Sequence, residues 1–579
     1  MAIAIRAKQG LTRRHLLVRS ASTLALAGLG SLARPYLSRA ADRPLIANGL
    51  ASGDASTDSA VVWARADRPA RMRVECSTLE SFKSILRVAS SNALPDHDFT
   101  SKVLLENLPT GQDIFYRVRL EDIGEPGISG ETQVGHFRTA PTDKSSISRS
   151  SISFVWSGDT AGQGWGIDPA HGGMRTYKTM LESRPDFFIH CGDHIYADCP
   201  IPSELKLPDG GIWRNIVTEE KSAVAHSLEQ FRGNYKYNLL DGNLRAFNAQ
   251  VPMLAQWDDH EVTNDWSPVG SADETGYAED GSSRLVARAR RAFFEFMPIR
   301  STPAQEGRVY RRIGYGPLLD VFLIDMRSYR DSTWNKRDDR SDTFILGSAQ
   351  LAWLKRELAA SDATWKVIAA DLPIGLISED AIALGDGPPE RREHEIADLL
   401  SFMKRAGVRN TVWLTADMHY TAAHHYDPNR AVFQEFEPFW EFVSGPLHAG
   451  TWGPGELDNT FGPKAMFQKG CSAEQGENLA PCFGLQFFGR VEIDGQGCRQ
   501  PKSLVGRYRA AAGRAAGNHA GSAYLSRLDH DSIRLNRIMI SSLCLSMISA
   551  QTRSAFVARE NRYPLFRIIA PKRQRVTIR

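Results

Sequence analysis

Cysteine pairs of the CxxC kind are missing from this chain, whose seven cysteines, an odd number, are scattered between Cys76 and Cys544. Their absence excludes a zinc-ribbon site. Cys191 with Cys199, or Cys471 with Cys482, are the pairs that would bridge in an oxidising compartment, but spacing does not decide it and no disulfide is expected. A stable membrane anchor is missing too, because the weakly apolar stretch Leu24 to Ala33 is too short and too rich in Gly and Ser to span a bilayer. Acidic residues are scarce at both ends. Residues 1–41 carry 7 Lys or Arg and no acid, and residues 497–579 carry 16 against 3. The body between holds 47 basic and 64 acidic side chains, net −17. That balance excludes a general attraction to nucleic acid, while carboxylates gathered around multivalent cations would contribute to such an excess. The rest of the composition is ordinary: 42% hydrophobic and 24% charged residues over 579 positions describe a globular chain too long for one domain.

In LTRRHLL, Arg13-Arg14 stand ahead of the weakly apolar stretch, which ends near Ser38-Arg39-Ala40-Ala41. Residues 1–41 thereby resemble a twin-arginine export signal, which implies the export machinery as a partner and a periplasmic or secreted product. From Leu45 to Thr139 the short alternating runs SAVVWAR, RMRVECS and FYRVRLED, separated by Asp, Pro and Gly clusters, predict a small β-sandwich over 42–141 without catalytic chemistry. A polar linker, Thr142 to Ser151, follows. Strands then alternate with helices. SISFVW, FFI, PMLAQW, DVFLID and WKVIAA are apolar strands; RLVARARRAFFEF, SAQLAWLKRELAA and the segment around Ile396, Leu399, Leu400 and Met403 are amphipathic helices. This predicts a layered α/β domain over 151–496, leaving 497–579 as a basic tail.

Polar groups gather where those strands end. Asp159 follows SISFVW, and Gly192-Asp193 breaks the buried run Phe187-Phe188-Ile189 and opens the loop that carries Tyr196. WDDHEVTND (Trp257 to Asp265) follows a third strand and TADMH (Thr415 to His419) a fourth. Open α/β sheets place ligands at the carboxyl ends of their strands. Any one of these stretches reads equally well as a solvated loop; together they put carboxylates, two histidines and a tyrosine on the same edge of one sheet. A binuclear hydrolytic centre needs that inventory: a bridging carboxylate, hard oxygen ligands on each side, and a neutral imidazole as added ligand or proton donor.

GDHIYAD, WDDHEVTNDW, LIDMRSYRD, GSAQLAWL and TADMHYTAA, with the earlier ASGDASTDSAVVW and FRTAP, run from Asn48 to Asp494. On these motifs the chain resembles the PhoD-type alkaline phosphatases of the metallophosphoesterase superfamily. The resemblance implies a fibronectin-like N-terminal β-sandwich joined to a four-layer α/β/β/α domain, and hydrolysis of phosphate mono- or diesters. It also implies a binuclear or multinuclear centre of Fe3+ with Ca2+; a monomer is expected. Carried over by motif, Asp193 bridges the metals, Tyr196 binds ferric iron, and Asp417 and His419 are late ligands. Asp259 is a ligand with Asn264 competing in the same loop, and His260 is the hydrogen-bond donor to the transition state. Better-known members carry a Ser-Cys pair after the first strand, where this chain has Ser157-Gly158-Asp159, so Asp159 replaces a thiolate by a carboxylate and leaves metal preference open. The likeness does not extend past Gly497.

The expected chemistry is in-line attack on phosphorus by a metal-held hydroxide while the cations withdraw charge. Arg327 and Arg330, in DMRSYRD, are candidate phosphate contacts because guanidinium offers a bidentate fork; the alternative is pairing with Asp325 or Asp331. His448, in SGPLHAG, is either a further ligand or a buried, hydrogen-bonded histidine. A phospholipase D-like enzyme acting on lipid headgroups and a non-catalytic surface binding protein are the other functional readings.

Overall fold

The computed structural model describes residues 43–125, 127–142, 151–268, 282–301, 307–331, 343–378 and 381–494, with the backbone of four short strands beyond them. The expected export signal and most of the basic tail lie outside the described residues. One strand of the tail, Arg537–Cys544, pairs antiparallel with Phe487–Asp494.

The N-terminal part is a sandwich because its strands alternate. In Ala70–Ser77 the side chains of Met72, Val74 and Cys76 point inward while Arg71, Arg73 and Glu75 point out. Asp113–Asp122 does the same with Ile114, Tyr116, Val118 and Leu120. These two strands, with Arg87–Ala93 and Gln133–Arg138, form a four-stranded sheet. It packs on Ile46–Gly53, Ala60–Ala66 and Thr100–Leu105. Those three strands are not a sheet of their own. They continue a nine-stranded sheet that also holds Ser151–Ser157, Phe187–His190 and Met253–Ala255, the joint being a parallel pairing of Gly53 with Met253. A Cβ on Gly53 would lie 2.4 Å from the Pro298 carbonyl oxygen and 2.7 Å from that of Met253, so the close approach requires glycine. The buried pair Arg311–Asp54, 2.7 Å, ties the joint to the α/β part of the chain.

The second large sheet has seven strands, with Leu319–Leu323, Trp365–Ala369 and Thr411–Thr415 parallel at its centre. The strand ends that the sequence placed on one sheet therefore belong to two. Phe154, Trp156, Phe187 and Ile189 of the first sheet pack against Val321, Val367, Leu414 and Phe442 of the second to form the inner core. The helices cover the outer faces. Arg175–Glu182, Leu228–Asn238, Gly242–Gln250 and Ser282–Phe296 bury Tyr177, Phe231, Phe247 and Phe293 on the first sheet. Gly347–Ala359 and Glu393–Arg405 bury Leu354, Leu358, Ile396 and Leu400 on the second. The latter helix has Glu393 and Glu395 in its first turn and Lys404 and Arg405 in its last, which suits the helix dipole, and it stops before Gly407, whose φ is 67°. The result is the four-layer α/β/β/α arrangement, with a sheet shared across the sandwich. Among the described residues no helix is long and apolar enough to cross a membrane.

Candidate metal centre

Three turns leave the strand ends in the same unusual way. Asp159, Asp193 and Asp417 have φ of 69°, 53° and 61°, and His419 has 55°. A non-glycine residue in the left-handed region costs about 1–3 kcal/mol and persists only where its surroundings over-determine it. Here the turns determine one another. Asp159 N–H donates to the Gly192 carbonyl at 3.3 Å and Thr160 N–H to that of Asp193 at 2.9 Å. The Asp159 carbonyl accepts from the His448 N–H at 3.0 Å. Glu261 ties in a fourth turn, its own, its carboxylate accepting from the N–H of Asp193 at 3.1 Å, His194 at 2.5 Å and Asp258 at 2.7 Å.

Four turns from two sheets thus converge. Donor atoms of Asp159, Asp193 and His419, of Asp193, Asp259 and His260, and of Asp258, Asp259 and Asp417 form three groups, each within 4.8 Å. The Tyr196 hydroxyl lies 2.8 Å from His419 Nε2, which is itself 4.0 Å from Asp159 Oδ1. His419 Nδ1 faces the Gly450 carbonyl, so the proton sits on Nδ1 and the Nε2 lone pair points into the cluster. Burial pushes this imidazole down to about 4, keeping it neutral. His260 is the opposite case. Burial disfavours its charge, but Asp198, whose Oδ1 is 2.8 Å from Nδ1, and then Asp259 and Asp193 raise it well above the usual range.

Burial, reinforced by neighbouring carboxylates, raises Asp159, Asp193 and Asp417 well above the carboxylate range. Asp259 alone of the set is held low: burial works against its charge, but Arg327 and His260 outweigh it. Both Asp159 carboxylate oxygens and Asp193 Oδ2 are buried with no hydrogen-bond partner among the described residues. A buried carboxylate without a partner is costly, and the donor set is oxygen-rich with imidazole. The residues therefore fit hard multivalent cations. Side-chain exposure is 15% for Asp417 and 14% for His260, against 1% for Asp159 and 7% for His419, so the cluster opens to solvent on the Asp417 and His260 side.

The structure brings Asp159, Asp193, Tyr196, Asp259, His260, Asp417 and His419 together, sets Arg327 against their inner side with its guanidinium 3.7 Å from Asp417 and 3.9 Å from Asp259, and directs the side chains of Arg330, Asn264 and His448 elsewhere. Arg327 is 0% exposed, with Nε 2.6 Å from Asp258 and 3.1 Å from Asp371. It serves as an internal counter-charge to Asp258 and Asp371, and its backbone N–H donates to the carboxylate of Asp325, one of the partners expected as the alternative, at 3.1 Å. Arg330 is equally buried and donates to the carbonyls of Trp266 and Asp265, at 3.0 and 2.7 Å, bracing the metal-bearing loop from behind. Asn264 is exposed, its N–H held by Asp198 at 2.7 Å, at the outer end of that loop. His448 Nε2 is 2.8 Å from the Gly166 carbonyl, the buried, hydrogen-bonded role. Cys76, Cys191, Cys199, Cys471 and Cys482 are free thiols.

Sequence reasoning missed Asp258, Asp371, Glu261 and Asp198. Asp371 carried a signal, since it follows the strand Trp365–Ala369 as the other acids follow theirs. Glu261 lies inside the WDDHEVTND motif, but its task is to hold three backbone N–H groups from two turns, which no spacing reveals.

Comparison with known proteins agrees with the architecture. Residues 154–500 match the family model described as PhoD-like phosphatase, and residues 31–141 match its N-terminal domain. Alkaline phosphatase D of Bacillus subtilis (strain 168) is 27% identical over 433 residues, covering 69% of each chain. The solved structure of PhoD superimposes with a TM-score of 0.61 at 20% identity, covering 90% of this chain and 95% of that one.

Proposed function

The chain belongs to the PhoD-like phosphatase family and is a phosphoric ester hydrolase, and from that premise we propose that it hydrolyses phosphate mono- or diesters at the cluster just described, as an exported enzyme. The observation that carries the proposal is the convergence of Asp159, Asp193, Asp259, Asp417, His419 and Tyr196 around buried carboxylate oxygens that have no other partner. Asp159, Asp193, Tyr196 and His419 would hold one cation, and Asp193, Asp259 and Asp417 another. Fe3+ suits the phenol-bearing side and Ca2+ the carboxylates. Such cations, when bound, supply Lewis-acid charge withdrawal and lower the pKa of water.

The chain's own residues do the rest. Asp198 fixes His260 through Nδ1, leaving Nε2 to donate a hydrogen bond to a phosphoryl oxygen. Arg327 balances Asp258 and Asp371 behind the ligands, so that the front of the cluster carries less repulsion toward an anionic ester. Turn rigidity keeps these groups oriented before substrate arrives.

Purified full-length protein, loaded with Fe3+ and Ca2+, is expected to release nitrophenol from 4-nitrophenyl phosphate or its diester. Chelation or Asp193→Asn is expected to remove that release. Activity that survives Asp193→Asn unchanged would move the chemistry elsewhere. Export is supported by Arg13-Arg14 ahead of the weakly apolar stretch. Replacing both by Lys should retain the protein in the cytoplasm of the producing cell, and undiminished periplasmic activity would refute the twin-arginine assignment.

A further inference from the structure

Behind the metal-bearing turns, between the nine-stranded sheet and its helices, lies a cavity with about 40 Å³ open to the centre of a water-sized sphere. Thr160 and His190 touch it from the sheet side, and Tyr235, Asn238 and Asn248 touch it from helices Leu228–Asn238 and Gly242–Gln250. These last three are 3%, 5% and 7% exposed. Even so, the Tyr235 hydroxyl, Asn238 Oδ1 and Asn248 Oδ1 have no hydrogen-bond partner among the described residues. The Asn238 amide is oriented, because its Nδ2 donates to the His194 carbonyl at 2.6 Å. Native interiors leave only a few buried polar groups unsatisfied per hundred residues, so three oxygens around one space call for an occupant.

The walls say what kind. No Asp, Glu, Lys or Arg lines the cavity, so the occupant is uncharged. Amide oxygens only accept, so the occupant must donate. We propose that this cavity is an occupied site for an uncharged hydroxyl-bearing guest, either a cluster of ordered waters or a small polyhydric alcohol, bonded to Tyr235, Asn238 and Asn248. On the same measure one water needs about 10–15 Å³, so the space holds two or three waters or one small alcohol. The guest sits against the supports of two metal-bearing turns. Thr160 Oγ1 is 2.8 Å from the Tyr177 hydroxyl and 3.3 Å from His190 Nε2. Thr160 follows Asp159, and His190 ends the strand that leads to Asp193.

Two measurements on the full chain, purified and crystallised without polyols, test the site. A high-resolution crystal structure should show density within about 3.2 Å of at least two of the three oxygens. Water peaks identify solvent as the source, and an organic molecule retained in native mass spectrometry identifies an alcohol. A dry cavity, or a charged guest, overturns the proposal. In solution, Tyr235→Phe discriminates by sign. If the hydroxyl bonds a guest, its removal lowers the denaturation midpoint; if the hydroxyl is truly unsatisfied, its removal leaves the midpoint unchanged or raises it, which overturns the proposal. Asn248→Leu gives the same sign test should Tyr235→Phe fail to fold.

Discussion

Tyr196 has its hydroxyl 2.8 Å from an imidazole nitrogen whose lone pair faces Asp159, in surroundings that without a cation raise the phenol above its usual range. Burial causes most of that rise, and Asp193 and Asp159 add to it. A ferric ion among these groups reverses the balance, because its charge favours phenolate over phenol. A ferric phenolate absorbs in the visible through charge transfer, whereas calcium or zinc gives no such band. Protein purified without chelators is therefore expected to be coloured, and Tyr196→Phe to abolish or shift the band while far-ultraviolet circular dichroism stays the same. A colourless, iron-free enzyme with full activity would remove Tyr196 from the ligand set. At this scale the sequence was most legible where chemistry is carried by residue type at a strand end: Asp159, Asp193, Asp417 and His419 meet as the motifs suggested. It was least legible where a side chain's role depends on what lies across the site. Arg327 offers a fork suited to phosphate, but Asp258 and Asp371 occupy it, and they are contributed by different strand ends.

The turn that opens the central loop shows how an element can be held by one missing atom. Gly192 has φ of 115°, and a Cβ there would lie 2.3 Å from the Asp258 Cβ. Gly192→Ala must therefore both strain the backbone and push two metal-bearing turns apart. We expect a loss of stability of about 1–3 kcal/mol with loss of bound metal, read by denaturation and metal analysis; a variant with native metal content and stability would contradict the packing described. A second element test concerns the start of helix Glu393–Arg405. The Glu393 carboxylate accepts from the N–H of Leu384 and Glu390 at 3.2 and 2.9 Å, and burial pushes it up to about 8. A folded-state value raised above the unfolded 4.5 gives stability that is present below the unfolded value and lost as pH rises through about 8. Glu393→Gln removes the titration, so the variant should gain on the parent between pH 5 and pH 9. A difference that stays constant across that range would exclude Glu393 as the titrating group. Elements themselves were readable from periodicity, as helices Gly347–Ala359 and Ser282–Phe296 show. Their partition between two sheets was not, because a parallel strand buried on both faces looks the same in either. The hairpin of Glu204–Lys206 with Ile212–Arg214 has too few residues per strand to register as a pattern.

For the whole molecule, the acidic surplus of the body, net −17 between residues 42 and 496, is partly explained by where its carboxylates sit. Asp159, Asp193, Asp258, Asp259, Asp371 and Asp417 are drawn into one buried cluster from two sheets, with Arg327 as a counter-charge inside it. The sandwich and the α/β layers share a continuous sheet through the pairing of Gly53 with Met253, so the two parts are joined by backbone as well as by side chains. The consequence is a pH-dependent need for metal. In metal-free protein the raised carboxyls of Asp159, Asp193 and Asp417 hold protons that the unfolded chain, with values near 4, has already released. That contribution to stability is complete below the unfolded values and lost as pH rises through the raised ones. Cations replace those protons and bind better once the carboxyls are ionised, stabilising the native state by about 4 kcal/mol at a thousand times Kd. The Tm difference between metal-loaded and chelated protein should therefore widen from pH 5 to pH 8. Calorimetry of both forms at the two pH values checks it. A gap independent of pH would mean that the carboxylates already have partners other than cations, and would remove the electrostatic basis for placing the metals there.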